Sequence, residues 1–136
     1  MTMDFLERLV KDALGGRRYF AEVVSGVTRD GNSIAVIATP SNDIRHYYDG
    51  TYDQGFTFQV TTKHENELTS YQTLLLISDL LKNLRDVPSD NDSYEFNGIE
   101  LTTVPNIIGK DDRYYYYSAM FKADLYIKRS ELHETI

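Results

Sequence analysis

Cysteine is missing from all 136 residues of the chain. Its absence excludes disulfides, thiolate metal sites and a catalytic thiol, and it fits a protein of a reducing cytoplasm. Long apolar runs are missing as well, because no stretch approaches the roughly 20 residues that a membrane-spanning helix needs. No segment has the pattern of a signal peptide. We therefore expect neither a disulfide framework nor a membrane partner.

Positive charge is scarce relative to negative charge. The chain has 14 Lys and Arg residues against 21 Asp and Glu residues, which gives a formal net charge of −7. Tight binding of phosphate groups depends on clustered Lys and Arg side chains. An acidic surface repels DNA and lets it slide past. The composition therefore predicts that DNA can pass this protein without being specifically bound.

Motifs for metal binding, phosphate binding and catalysis are also missing. The three histidines, His46, His64 and His133, do not have the spacing of metal ligands. The acidic segment at 90–95 fails as a calcium loop because its sixth position is Glu95 instead of glycine. Neither a glycine-rich phosphate loop nor a G-x-S-x-G elbow occurs. We predict no cofactor, no metal site and no enzymatic activity.

The segment at 111–128 has the clearest strand pattern in the chain. Its side chains alternate between two faces over more residues than the five or six of a usual strand. One face, which includes Phe121 and Leu125, must cover a core. The opposite face carries three tyrosines and a methionine: Tyr114, Tyr116, Tyr126 and Met120. This second face is too apolar to meet only water, so either a second helix or a partner subunit is expected to cover it.

Tyrosine is the most unusual feature of the composition. The chain has 11 tyrosines, and four of them are consecutive from Tyr114 to Tyr117. Tyrosine is enriched at protein interfaces because it offers a large contact area and one hydrogen bond at low entropic cost. Stacking of single-stranded bases also uses aromatic side chains, but it needs nearby positive charge. The hypothesis that follows is an oligomer interface formed by Tyr114, Tyr116, Met120 and Tyr126.

Helical and strand periodicities predict the elements of the first two thirds of the chain. Apolar residues recur at helical spacing in two segments, and they alternate in three others. The predicted elements are a helix at 4–14, strands at 18–28 and 33–39 joined by an Asp30-Gly31 hairpin turn, a surface loop at 41–50, a strand at 52–62 and a helix at 66–85 capped by Asn66.

Three further strands are predicted after the second helix. The Asn-Gly pair at 97–98 predicts a tight hairpin turn between the first two of them. The Val-Pro-Asn sequence at 104–106 ends the second strand. Residues 106–112 then form a loop with two exposed isoleucines, Ile107 and Ile108, and the long strand at 111–128 comes last.

The predicted order of elements is αβββαβββ in a single domain, residues 1–136, with 129–136 as a tail that frays. Hairpin connections make the sheet mostly antiparallel, and the helices do not alternate with the strands as they do in βαβ units. The prediction is therefore an α+β fold, in which two helices pack on a mostly antiparallel sheet.

Three motifs carry a family resemblance. They are DFLERLVKDAL at 4–14, YDGTYDQ-x-F-x-FQV at 48–60 and GKDDRYYYYSAMF at 109–121. On these motifs, the chain resembles a family of small minor capsid proteins from long-tailed (siphovirus-type) phages of Gram-positive bacteria. The resemblance extends over nearly the whole chain and stops before the RSELHETI tail. Because the motifs carry no known chemistry, the resemblance implies a structural protein of the virion.

The predicted order of elements also looks like that of phage tail terminators, which form a ring, often hexameric, at the head-proximal end of the tail tube. This resemblance implies a protein that is made in the host cytoplasm and resides at the head–tail junction. Its expected partners are further copies of itself, the major tail tube protein and the head-connector or stopper protein. The alternatives are a head-completion (stopper) protein and, from another class, a monomeric cytoplasmic binding module.

Two predicted loops are candidates for contacts at the two faces of such a ring. Rigid scaffolds commonly display their binding residues on loops. The residues assigned to these contacts are Arg45, His46 and Tyr47 in the loop at 41–50, and Ile107 and Ile108 in the loop at 105–112. The alternative is that both loops are plain connections.

Overall fold

The structure is a computed structural model, and it describes residues 2–15, 19–40, 44–88 and 94–128. One β-sheet forms the centre of the described part, and two helical elements pack on a single face of this sheet. The sequence-predicted tail at 129–136 lies outside the described residues.

The first helical element begins as α1, Thr2–Arg8, and continues as a π-helical segment, Leu9–Leu14. Its apolar stripe faces the sheet. The side chains buried there are Phe5, Leu6, Leu9 and Leu14. The helix predicted at 4–14 is therefore confirmed, although its second half has the wider winding of a π-helix.

The second helix, α2, spans Glu67–Lys82. Asn66 caps it, because its Oδ1 accepts a hydrogen bond from the backbone N–H of Thr69 at 3.0 Å. The apolar side chains that it buries against the sheet are Leu74, Ile77 and Leu81. The predicted helix and its N-cap are both confirmed.

Six strands form the sheet: β1 (Val23–Ser25), β2 (Ser33–Ala38), β3 (Ile44–His46), β4 (Tyr52–His64), β5 (Tyr94–Lys110) and β6 (Tyr115–Ile127). Their order is β1-β2-β4-β6-β5, and β3 pairs with β4 on the same side as β2. The 13 residues of β4 pair with the whole of β6, over about 40 Å at 3.3 Å per residue. All pairs except β1–β2 are antiparallel. The predicted α+β class, with a mostly antiparallel sheet and two helices, is confirmed.

The order of strands around α2 differs from the predicted one. Four strands precede α2 and two follow it, whereas three and three are predicted. The loop predicted at 41–50 is wrong for residues 44–46, because these pair with residues 52–54 of β4 as strand β3. Residues 41–43 lie outside the described residues.

The hairpin predicted at Asp30-Gly31 is wrong, because β1 and β2 run parallel, with Val23 paired to Ile34. A two-residue turn can join antiparallel strands only. Here residues 26–32 carry the chain back to the start of β2. Lys63 fixes this connection from β4, since its Nζ donates a hydrogen bond to the carbonyl oxygen of Arg29 at 2.9 Å.

A single long strand, β5, replaces the hairpin predicted at 97–98 and the loop predicted at 106–112. Gly98 has a φ of 127°, but the chain uses it for a β-bulge, at which the pairing with β6 shifts in register. Pro105 does not end the strand because β5 lies at the edge of the sheet, and the pairing with β6 shifts in register across Pro105, between Thr103 and Asn106. The chain reverses only at residues 111–114, between β5 and β6.

One apolar core lies between the sheet and the helices. The ring of Phe5 from α1 lies 5.4 Å from that of Phe56 on β4 and 5.9 Å from that of Phe96 on β5, measured between centroids. On β4, Thr62 points to the same face as Phe56, and its Oγ1 donates to the carbonyl oxygen of Ser70 in α2 at 2.9 Å. Both helical elements therefore cover the same face of the sheet.

Candidate assembly surfaces

The sheet face opposite the helices, called the outer face here, carries the predicted oligomer interface. Its residues on and just before β6 are half-buried: Tyr114, Tyr116, Met120 and Tyr126. Within the described residues, both helices lie on the other face, so the alternative in which a second helix covers these side chains is wrong for that part of the chain. Their contact with a partner subunit stays a prediction.

One end of the outer face is the turn between β5 and β6. The ammonium group of Lys63 lies 4.5 Å from the centroid of the Tyr114 ring, in cation–π geometry. The hydroxyl of Tyr116 donates a hydrogen bond to Oδ2 of Asp111 at 2.9 Å. Both tyrosines are therefore held in place within one copy of the chain, which lowers the entropic cost of a contact through them.

Asp111 closes this turn. Its Oδ1 accepts hydrogen bonds from the backbone N–H groups of Arg113 at 3.0 Å and of Tyr114 at 2.7 Å. These two hydrogen bonds are the main reason that the pKa of Asp111 lies below its usual value. Burial is the main reason that the pKa of Tyr116 is raised, and the hydrogen bond to the Asp111 carboxylate raises it further. At neutral pH, a charged acceptor therefore faces a protonated donor.

The other end of the outer face lies at the turn between β3 and β4, which brings two predicted residues together. The rings of Tyr47 and Tyr126 are 6.3 Å apart in an edge-on arrangement. The hydroxyl of Tyr47 donates to Oδ2 of Asp53, and this hydrogen bond is the main reason that the pKa of Tyr47 is raised. Arg45 and His46 lie beside them on β3, and both are exposed.

The same turn displays Tyr48, which is fully exposed and which the sequence predictions do not include. Hydrogen bonds within the turn fix it; among them, the N–H of Tyr47 donates to the carbonyl oxygen of Thr51 at 2.9 Å, and the N–H of Thr51 donates to Oδ1 of Asp49 at 3.1 Å. The Tyr-Asp-Gly sequence could have predicted this exposed position, because Asp-Gly favours a turn and the tyrosine directly precedes it.

Ile107 and Ile108 are strand residues on the exposed half of β5. Ile107 pairs with Tyr117, near the β5–β6 turn, whereas Tyr47 lies beyond the opposite end of β4. The residues predicted for contacts at the ring faces therefore form two groups, separated by about 30 Å along β6. Leu68 and Leu76 are exposed on α2, and neither is among the predicted contact residues.

The outer face also has an open cavity of about 300 Å³ beside β3, lined by residues that include Arg45, Asp53, Gly55 and Asp124. No group of three or more His, Cys, Asp or Glu side chains that could hold a metal ion occurs within the described ranges. In that same part of the chain, neither helix is long and apolar enough to cross a membrane.

Comparison with known proteins identifies the family. A family model described as bacteriophage tail terminator protein matches residues 26–127, which include α2 and all strands from β2 to β6. A similar solved structure is a chain in the virion of a native gene transfer agent particle, with a TM-score of 0.56, 15% identity, and coverage of 90% of this chain and 91% of that chain. At this identity the likeness shows a shared fold. No match was found among curated proteins. The chain thus belongs to the bacteriophage tail terminator family and is a structural protein of a phage tail.

Proposed function

We propose that this chain is the tail terminator of a long-tailed phage of Gram-positive bacteria, a minor component of the virion. It would form a hexameric ring that caps the head-proximal end of the tail tube and joins the tube to the head. Family membership supports a role in the tail. The observation that carries the ring is the outer face, a long sheet surface without a helix among the described residues and with half-buried tyrosines and a methionine.

The two ends of the sheet supply the two faces of the proposed ring. The β3–β4 turn, with Arg45, His46 and Tyr47, lies at one end, and Ile107 and Ile108 lie near the β5–β6 turn at the other. One end would contact the last ring of tube subunits, and the other would contact the head connector. Because these surfaces differ, a tube subunit that binds one end cannot bind the other, and tube growth stops.

The subunit contact of the proposed ring involves Tyr114, Tyr116, Met120 and Tyr126 on the outer face. Tyr116 and Tyr126 are each positioned by a neighbour in the same chain, Asp111 and Tyr47 respectively. A pre-positioned aromatic side chain loses little conformational entropy on binding. We also expect assembly to be weak in dilute solution and strong on the end of a tube, because the tube holds the subunits side by side.

DNA leaving the head would pass through this ring without being bound. Each copy carries a formal charge of −7, and phosphate binding needs the opposite charge. We expect no gel shift with double-stranded DNA at physiological salt. Tight, salt-sensitive binding would contradict this part of the proposal.

A phage that lacks this protein tests the whole proposal. We expect filled heads and separate tails that do not join, with tail lengths that are no longer uniform, in electron micrographs of the lysate. Complementation with the intact chain should restore joined particles. Joined particles with normal tails in the deletion phage would overturn the assignment, and free tails of normal length beside leaking heads would assign the chain as a stopper instead.

A further inference from the structure

Asn97 and Gly98 form the single Asn-Gly pair of the chain, and both lie at the β-bulge of β5. The pairing with β6 shifts in register here, so that the two residues together lie opposite the single residue Asp124. Neither Asn97 nor Gly98 is paired with a residue of β6, and β5 is the last strand of the sheet. The main chain between these two residues is therefore less constrained than in a regular strand pair.

The side-chain amide of Asn97 is exposed and makes no hydrogen bond to any other described residue. The other asparagines in the described ranges are each held through this group. Oδ1 is an acceptor in Asn32 and Asn66, and Nδ2 donates to main-chain carbonyl oxygens in Asn83 and Asn106. The Asn97 side chain differs from these, because no contact within the described residues prevents it from rotating toward its own main chain.

The main-chain nitrogen of Gly98 is open to such an approach. Gly98 has a φ of 127°, in the region that glycine favours. A Cβ added at this position would meet no atom within 4 Å, so the space around the residue is empty. The Gly98 nitrogen and Cγ of Asn97 are placed in the chain so that a bond between them closes a five-membered ring.

We infer that Asn97 is a site of spontaneous deamidation, with the Gly98 nitrogen as the nucleophile and water as the co-reactant. The nitrogen gives its proton to hydroxide and attacks Cγ of Asn97. The N–Cγ bond forms, the Cγ–Nδ2 bond breaks, and ammonia leaves. The inference concerns the chemistry of a single chain and does not depend on the proposed function.

Water then opens the cyclic imide at one of its two carbonyl carbons. Attack at the side-chain carbonyl carbon gives aspartate, and attack at the main-chain carbonyl carbon gives isoaspartate, in which the chain continues through the side chain. The net change at Asn97 is from amide and water to carboxylate and ammonia. No oxidation state changes, so the reaction needs neither an oxidant nor a reductant.

Both products change the charge of the open cavity beside β3. Asn97 lines this cavity together with Arg45, Asp53 and Asp124. A carboxylate in place of the amide adds a third acidic group to a lining with one arginine. Because like charges on neighbouring strands repel each other, we expect β5 to pair less tightly with β6 at this point.

Isoaspartate has the larger effect because it also lengthens the main chain. It adds one methylene group to the backbone within the bulge, directly after Phe96. The Phe96 side chain is buried, and its ring lies 5.9 Å from that of Phe5 in α1, measured between centroids. The added length therefore disturbs either the packing of Phe96 or the register of the strand that follows.

Ageing of the folded chain tests the site against an asparagine that the fold holds. The chain is incubated at mildly alkaline pH, folded or unfolded in guanidinium, and amide loss at each asparagine is measured by peptide mapping and mass spectrometry. The ratio of the folded to the unfolded rate removes the effect of the following residue. For Asn97 the folded rate should be lower by no more than about tenfold, because opening an edge bulge needs little free energy.

Asn32 is the internal comparison. It is also exposed, but its Oδ1 accepts a hydrogen bond from the N–H of Glu65 at 3.2 Å. The fold should therefore slow amide loss at Asn32 far more than at Asn97. An Asn97 amide that the fold protects as strongly as that of Asn32 would overturn the inference.

Asn97→Gln is the matched control variant. It keeps an exposed amide at the same position, but its cyclisation requires a larger ring and is slow. The unaltered chain should accumulate a more acidic form on ion-exchange chromatography, and Asn97→Gln should not. An acidic form that appears at the same rate in both chains would place the reaction elsewhere and overturn the inference.

Asn97→Asp separates the effect of charge from that of chain length. This variant has the added carboxylate and an unaltered main chain, so it should melt only slightly below the unaltered chain. The isoaspartate form, purified from the aged chain, should melt about 3 °C or more below Asn97→Asp. Equal melting of the two would overturn the effect assigned to the lengthened main chain.

Discussion

The two faces of the sheet differ in their contacts, although the same strands form both faces. Along β6, Ala119, Phe121 and Ala123 are completely buried against the helices, while Met120 between them is half-buried on the outer face. An antiparallel sheet can pack on one side and leave the other accessible, because successive side chains point in opposite directions. The comparison teaches that alternate residues of one strand can have different roles: one set stabilises the core, and we propose that the other set mediates assembly.

The core face is held by contacts of aromatic rings that span several elements. Phe58 of β4 stacks on Phe121 of β6 with ring centroids 5.3 Å apart, and Phe5 of α1 packs edge-on against Phe56. Such pairs add to the free energy of burying the rings themselves. The outer face has polar and cation–π contacts instead, such as those of Lys63 with Tyr114 and of Tyr116 with Asp111. These position side chains but bury little apolar area.

Neighbouring glutamate substitutions give the sharpest contrast between the faces. Ala119→Glu buries a charge without a partner, so it should cost several kcal/mol and unfold the chain at moderate temperature. Met120→Glu, one residue further, leaves its charge on the outer face and should melt nearly normally while assembly on tail tubes is lost. Circular dichroism melting and a tube-capping assay measure the two effects. If Met120→Glu also unfolds the chain, the outer face is part of the core.

Removing one ring from the core face measures what that face contributes to folding. Phe121→Ala deletes a fully buried side chain and should lower the free energy of unfolding by about 3–5 kcal/mol. Gln59→Ala, on the outer face of the adjacent strand opposite Met120, should change it by less than about 0.5 kcal/mol. Denaturant titrations of both variants give these values. Similar losses in both would contradict the assignment of stability to one face.

Periodicity was sufficient to predict which side of β6 faces the core and where the two helical elements lie. The alternation at 111–128 assigns Phe121 and Met120 to opposite faces, and the structure places them so. The helical spacing at 66–85 likewise predicts α2 with its Asn66 cap. These patterns are local, and the residues that create them also carry the burial free energy, so sequence and structure agree.

Connections between strands could not be predicted from such local patterns. The sequence Asn97-Gly98 is compatible with both a hairpin turn and a β-bulge, because both can contain a glycine with positive φ. The bulge occurs because β5 gains a pairing partner along β6 on both sides of Gly98. The hairpin predicted at Asp30-Gly31 fails for a different reason: β1 pairs in parallel with β2, and a two-residue turn cannot join parallel strands.

The candidate contact surfaces depend even more on long-range order. The sequence identifies Tyr114, Tyr116, Met120 and Tyr126 as one strand face, but it does not show that α2 and β5 form one apolar edge. That edge exists because β5 pairs with β6 beneath one side of α2: Tyr71 of α2 contacts Tyr117, and Tyr117 pairs with Ile107. Sheet order is set by pairing between distant segments, and no local pattern encodes it.

The smallest expected effect concerns pH and the turn that borders the outer face. Hydrogen bonds from the N–H groups of Arg113 and Tyr114 hold the pKa of Asp111 below its usual value of about 4. A carboxyl group with a lowered pKa stabilises the folded state above its unfolded pKa, and this contribution disappears as the pH falls through the folded pKa. We therefore expect the turn to loosen only below about pH 4.

Amide resonances measure this loosening in isolation from the core. The N–H signals of Arg113 and Tyr114 should shift together as the pH falls below about 4, while those of Phe121 and Ala123 stay constant. Asp111→Asn removes the titration but keeps an oxygen that can accept both hydrogen bonds, so its signals should not shift in this range. Asp112→Asn makes the same change in charge one residue away, at an exposed side chain, and should leave the shifts as in the unaltered chain. A shift that survives in Asp111→Asn would mean that another group controls the turn. A simultaneous shift of the core signals would mean that the two faces of the sheet do not respond independently.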